Sequence, residues 1–185
     1  ITNIFVNTKF EASELPIKCT AYSPCFRREA GSYGKDVRGL NRLHQFDKVE
    51  IVEICHPNKS YETLNTMVEH VSELLKKLGL TFRVLKLCSG DLGFTAALTY
   101  DFEIYAPAQK KWLEVSSVSN FETYQANRLN LKYREKGVSS LCHTLNGSSL
   151  ALPRIVVALL EQNQTDAGII IPKPLLEYVK FEKII

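Results

Sequence analysis

Arginines, carboxylates and an aromatic ring recur within residues 26–50 of this sequence at spacings that bring their side chains together. Arg27 and Glu29 lie two apart, so in an extended chain they share a face. Phe46 and Glu50, four apart, share a face as well. Between them Phe26-Arg27-Arg28-Glu29 runs into the polar stretch Ala30–Gly39, which holds Gly31, Gly34 and Gly39, and Gly39-Leu40-Asn41-Arg42 leads out again. A guanidinium fork suits phosphate or carboxylate. A ring beside an arginine suits a flat nucleobase. Burying such a face without a polar ligand would be costly. A solvated edge hairpin with ordinary surface pairs accounts for the same residue types, and Lys35 and Arg38 fit a solvated loop.

The elements that must position these residues are legible from periodicity. Ile17–Cys25 and Arg42–Cys55 alternate with period two and predict a long hairpin. In its second strand His44, Phe46, Lys48, Glu50, Val52 and Ile54 fall on one side. Tyr61–Leu78 is an amphipathic helix, with Leu64, Met67, Val68, Val71, Leu74, Leu75 and Leu78 on one stripe, Ser60 as N-cap and Gly79 as stop. Strands are expected at Thr81–Leu87, Asp101–Tyr105, Lys111–Ser119 and Ser139–Leu145, and a short helix at Phe121–Arg128. Leu150–Gln162 reads as a second strong helix with Pro153 in its first turn, where a missing N–H costs little. Thr165–Ile185 is expected to pack on the sheet through Ile169, Ile170, Ile171, Leu175 and Leu176. One sheet with flanking helices, an α+β arrangement, accounts for the whole chain.

Composition narrows the class. The chain has 185 residues, 45% of them hydrophobic and 23% charged, which excludes wholesale disorder and collagen-like structure. A net charge of +3 is too small to identify a nucleic-acid binder on electrostatics alone. No apolar run approaches a membrane span, and Ile1–Phe10 does not read as a secretory signal. The five cysteines include no C-x-x-C, and Cys55-His56 and Cys142-His143 do not supply a zinc pattern. Buried or half-buried thiols in strands and a reducing cytosol are expected. An opening Ile1 in place of Met suggests a fragment, a processed product or a trimmed chain.

Residues 24–50, from Pro24-Cys25-Phe26-Arg27-Arg28-Glu29 to Phe46-Asp47-Lys48-Val49-Glu50, closely resemble motif 2 of seryl-tRNA synthetases, which are class II aminoacyl-tRNA synthetases. Leu145-Asn146-Gly147-Ser148-Ser149-Leu150-Ala151-Leu152-Pro153-Arg154, within residues 145–163, resembles their motif 3. Glu114-Val115-Ser116-Ser117-Val118-Ser119-Asn120-Phe121 resembles the metal and ATP segment, and Gln125-Ala126-Asn127-Arg128 the helix after it. The resemblance runs over essentially the whole chain.

It implies an antiparallel sheet with flanking helices and ATP-dependent activation of L-serine followed by transfer to tRNA(Ser), with tRNA(Sec) as a further candidate acceptor. Arg27 would bind the ATP α-phosphate and the serine carboxylate, and Glu29 the adenine amino group. Phe46 would stack on adenine, with Arg154 on its other face and reaching the γ-phosphate. Arg28, Leu43, His44, Gln45, Val115 and Ser116 would line the ATP site. Glu114 and Ser117 would hold Mg²⁺, whose preference is for hard oxygen ligands. Glu50, Asn146 and Ser148 would form the serine pocket. Arg27, Glu114 and Arg154 would be the catalytic residues, acting by positioning and electrostatics.

The family's long tRNA-gripping arm, its motif 1 dimer interface and its Thr-x-Glu loop would all precede Ile1. The chain is therefore expected to be the C-terminal part of the catalytic domain of a cytoplasmic homodimer, unable to charge tRNA by itself. Val118 stands where the family commonly has Cys. Two rivals share these residues: a synthetase-like ligase that charges a carrier protein, and a non-catalytic paralogue that only binds nucleotide or partners.

Overall fold

The computed structural model describes residues 1–29 and 39–185, so most of the glycine-rich stretch, with Lys35 and Arg38, lies outside the described residues. The predicted hairpin is the start of a six-stranded sheet. β2 (Ile17–Phe26) and β3 (Gln45–Cys55) pair in continuous register from Ile17 opposite Ile54 to Phe26 opposite Gln45. The short β1 (Lys9–Glu11) precedes them. After α1 (Ser60–Lys77) come β4 (Phe82–Lys86), β5 (Leu98–Ala106), β6 (Lys111–Asn120) and α2 (Tyr124–Leu129). β7 (Lys132–Glu135), β8 (Val138–Leu141), β9 (His143–Ala151) and α3 (Leu152–Gln162) follow. The large sheet runs β2-β3-β9-β6-β5-β4 with every neighbour antiparallel.

One face of this sheet is apolar because two helices must cover it. Leu64, Met67, Val71 and Leu75 from α1 and Ile155 and Ala158 from α3 pack on Phe102, Ile104, Val118 and Leu145. α1 ends as its sequence requires. Gly79 takes φ +70°, its N–H donates to Lys76 O, and Leu80 N–H reaches back to Leu75 O, where both leucines join the core. Among the described residues the opposite face is covered at one end only. There α2 and a small sheet of order β1-β7-β8 bury Ile54 with Ala126, Leu131, Tyr133 and Cys142. The rest of that face is the floor of the site. No helix is long and apolar enough to cross a membrane among the described residues.

Several boundaries differ from the sequence reading. Ser60 is not a side-chain cap: it is fully buried in the first turn, donates to Pro57 O, and receives Asn120 Nδ2 at 3.1 Å. Leu150 and Ala151 complete β9, so the second helix begins at Leu152, with Pro153 in its first turn as expected. Ser139–Leu145 is two strands of different sheets that separate at buried Cys142, a change of partner that alternation cannot reveal. The α2 helix starts three residues later than expected, at Tyr124. The strands β1 and β7, short and rich in charge, escaped the reading.

The tail pairs with itself. β10 (Gln164–Thr165), β11 (Gly168–Ile170) and β12 (Lys183–Ile184) form a second small sheet, and none of the five expected tail residues joins a buried cluster among the described residues. Four cysteines are buried or half-buried as expected, and burial pushes Cys55 and Cys142 up to about 11 and about 12. Cys88 departs from the expectation: it is exposed in the turn after β4.

The centre of the sheet has no room to spare. A Cβ added to Gly147 on β9 would stand 2.8 Å from Val118 Cγ2 and 3.0 Å from both Ser117 O and Val118 Cα of β6. Gly147→Ala is therefore expected to cost about 1–3 kcal/mol, read as a lower urea midpoint. An unchanged midpoint would show that this close approach can relax without loss.

Candidate active site

The uncovered part of the second face carries an open cavity of about 730 Å³ including its mouth. Three segments wall it. The first is the hairpin. Cys25, Ser23 and Ala21 of β2 stand opposite Phe46, Lys48 and Glu50 of β3, so these six side chains and that of Arg27 share one face. Arg27 N–H donates to His44 O at 2.9 Å, which extends the hairpin beyond its last strand pair. The Arg27 guanidinium lies over the Phe46 ring, 5.2 Å from its centroid. Glu29, at φ +53°, is paired with Arg42 across the open end of the hairpin. That hydrogen bond holds the Glu29 carboxyl below the usual carboxylate range.

The second wall is β6, and it depends on a bulge. Glu114 and Ser117 are three apart, which in a regular strand would send them to opposite faces. The register shifts between Phe102 and Glu103: Ser117 stands opposite Asp101, Ser116 opposite Phe102, and Glu114 opposite Glu103. The extra residue, Val115, returns Glu114 to the face of Ser117. The Ser116 hydroxyl turns to donate to Ser148 O and ties this wall to β9.

The third wall is the start of α3 and the turn Gly39–Asn41. Arg154 donates from Nε to Asn41 O at 3.1 Å, which joins the two parts of this wall, and from Nη1 to Glu114 O, which ties it to β6. Burial works against its charge, and Glu114 supports it.

The carboxylates on the floor are under-satisfied. Burial pushes the Glu114 carboxyl up, and the Asp101 charge adds to the shift, although Arg154 and Arg27 oppose it. Asp101 is raised by burial too, even with a hydrogen bond from Ser117. Asp101 Oδ1 is buried with no hydrogen-bond partner. Glu50 Oε2 is buried without a hydrogen-bond partner, its one close neighbour among the ion pairs of the described residues being Lys48 Nζ at 2.7 Å. Hard oxygen donors that repel one another fit a divalent cation such as Mg²⁺. No group of three or more His, Cys, Asp and Glu forms a protein cage among the described residues. The donors present therefore fit a cation that takes its remaining ligands from a phosphate and water, not a closed structural metal site.

The structure brings together Arg27, Glu29, Leu43, Phe46, Glu114, Val115, Ser116, Ser148 and Arg154 as cavity lining. Glu50, Ser117 and Asn146 lie on the same sheet face beside the lining: Glu50 stands opposite Ser148, and Asn146 donates to Gln125 Oε1 at 3.2 Å. Arg28, His44 and Gln45 are exposed at the hairpin end and do not line the cavity. The sequence reading missed Leu40, Asn41, Arg42, Lys48, Ala151 and Pro153 as lining. Lys48 was within reach of that reading, since it alternates with Phe46 and Glu50. Asp101 was not, because only the β5–β6 register sets it beside Ser117. A cationic hairpin wall facing an anionic strand wall, with one aromatic ring between them, can hold a polyphosphate with its metal and a flat base.

Comparison with known proteins gives the family. Residues 1–163 match the family model of the tRNA synthetase class II core domain (G, H, P, S and T). Serine–tRNA ligases of Hydrogenobaculum sp. and Fusobacterium nucleatum are 52% and 54% identical over 100% and 97% of this chain, which covers 44% and 43% of those proteins. The chain thus spans a little under half the length of the curated relatives it matches. The crystal structure of seryl-tRNA synthetase from Pyrococcus horikoshii complexed with ATP superposes with a TM-score of 0.96 at 39% identity, over 100% of this chain and 42% of that one. Prolyl-tRNA synthetase of Giardia lamblia, at 14% identity and a TM-score of 0.79 over 92% of this chain and 34% of that one, shares the fold.

Glu114 binds its proton more tightly folded than unfolded, so its ionisation lowers stability as pH rises above the ordinary glutamate range. Glu114→Gln should therefore raise the urea midpoint at pH 7 in chelator, and the gain should vanish below about pH 4. A variant no more stable than wild type at pH 7 would contradict a desolvated carboxylate at this position.

Proposed function

This chain belongs to the class II tRNA synthetase core-domain family, and on that premise we propose that it is the C-terminal part of the catalytic domain of a serine–tRNA ligase. The observation that carries the reading is convergence: Arg27, Phe46, Glu114 and Arg154, from three separate segments, line one cavity. The high identity to serine–tRNA ligases supports the choice of serine.

In this reading ATP lies between the hairpin and β6. Adenine stacks on Phe46 with Arg154 on its other face, and Glu29 accepts from the adenine amino group. Leu43, Val115 and Ser116 border the nucleotide, and Arg28, His44 and Gln45 stand at the hairpin end outside the cavity. The serine carboxylate attacks the α-phosphorus in line and pyrophosphate leaves, forming seryl-adenylate. Arg27 holds both reacting partners and offsets the charge that grows on the α-phosphate. Glu114 and Ser117 are the residues that would hold Mg²⁺, which when bound neutralises phosphate charge. The terminal ribose hydroxyl of tRNA then attacks the seryl carbonyl and AMP leaves. No side chain forms a covalent bond, so catalysis comes from orientation and preorganised charge.

Serine specificity follows from the neighbouring polar pocket. Glu50, Asn146 and Ser148 offer a small substrate hydrogen-bonding groups, and alanine would leave those groups unpaired. The same reading makes tRNA(Ser) the acceptor, with tRNA(Sec) a further candidate, and the whole enzyme a cytoplasmic homodimer.

Two outcomes test the assignment in the full-length protein. Arg27→Ala should lower serine-dependent ATP–pyrophosphate exchange by about 10²–10³. Exchange at the wild-type rate would remove Arg27 from the chemistry. Glu50→Ala should raise the KM for serine about tenfold or more while changing the KM for ATP little. An equal effect on both substrates would place Glu50 outside the serine pocket.

A further inference from the structure

Arg154 is held by a hydrogen-bond chain that begins well outside the cavity. Glu161 lies seven residues after Arg154 in α3, two turns along the same helix face. One of its oxygens accepts from Ala108 N–H at 2.9 Å and the other from Gln109 Nε2 at 2.7 Å, so α3 grips the β5–β6 turn. Gln109 Oε1 in turn accepts from Asn41 Nδ2. The carbonyl oxygen of the same Asn41 accepts from Arg154 Nε at 3.1 Å. The chain thus leaves α3 at Glu161, crosses two loops and returns to α3 at Arg154. Asn41, Gln109 and Glu161 are all half-buried, and neither Gln109 nor Glu161 lines the cavity.

The direction of this chain is set at its charged end. The Glu161 carboxylate only accepts, so Gln109 must present its NH₂ to it and its oxygen to Asn41. Asn41 must then donate with its side chain. That fixes the Gly39–Asn41 turn against α3 and leaves the Asn41 carbonyl aimed at Arg154. With Nη1 bound to Glu114 O, two contacts define the plane of the guanidinium. Charge-assisted and linked hydrogen bonds of this kind reinforce one another.

We infer that Gln109 and Glu161 are positioning residues: through Asn41 they orient Arg154 and seat the cavity lip for the nucleotide. The inference rests on the ATP reading of the cavity. It is tested in the full-length protein by ATP titration and by serine-dependent ATP–pyrophosphate exchange. Gln109→Ala and Glu161→Ala should each raise the KM for ATP about three- to tenfold, with the KM for serine little changed. The double alanine variant should be scarcely worse than either single one, because each breaks the same chain. Gln109→Glu combined with Glu161→Gln exchanges the two end groups and keeps a donor facing every acceptor, so it should recover most of the ATP affinity. Wild-type ATP affinity in both single variants would overturn the inference. So would an exchanged pair as impaired as the alanine pair, since that would make the effect one of packing. Failure of the ATP reading is distinguishable: the wild-type protein itself would then neither bind ATP nor catalyse exchange, and the inference would fall with it.

Discussion

β9 pairs with β3 along one edge and with β6 along the other, and the site exists only because it does. Glu50 stands opposite Ser148 through the first pairing, and Val118 opposite Gly147 through the second. Without β9 the arginine-bearing hairpin and the carboxylate-bearing strand would have no common frame. The close approach at Gly147 brings β6 and β9 together, and the Ser116 hydroxyl bound to Ser148 O repeats the tie one step further along. Both contacts are short-range, so small displacements of β9 would be felt in the cavity directly.

The division of the sheet into two faces follows from the same frame. Helices α1 and α3 bury the apolar face, which anchors the strands and supplies the stability of the domain. The other face can then hold what a core could not: Glu114 and Asp101 pushed toward the neutral form, a buried oxygen on Glu50, and cationic side chains across from them. Charges held so close and so poorly paired oppose folding. Such an arrangement fits the phosphate, divalent cation and small zwitterion of the proposed function. Stability lost on one face is offset on the other, through strands that belong to both.

Helix α3 joins the two roles. Ile155 and Ala158 belong to the core, Arg154 in the first turn belongs to the cavity, and Glu161 near its end reaches the loops around the cavity mouth. A helix whose apolar stripe is locked into the core is a rigid mount for its polar residues. Arg154 thus takes its position from that packing and from the Asn41 carbonyl, which the far end of the same helix holds in place.

Much of the hairpin and of α1 is legible in the order of residues alone. Period two placed Arg27, Phe46, Lys48 and Glu50 on one face, and β2 and β3 carry them there. Period three-to-four found the apolar stripe of α1, and Gly79 marked its end. The order of three motif-like stretches pointed to one family. These features are local, because strand alternation, helical stripes and turn residues are set by neighbours within a few positions. The remaining features are non-local. The bulge at Val115, which brings Glu114 and Ser117 to one face, is defined by register against β5. The place of Asp101 beside Ser117, the split of 139–145 between two sheets, and the path from Glu161 to Arg154 all depend on which strand or loop lies next door. A residue's type states what it can bond to. Only the packing of distant segments states which partner is within reach.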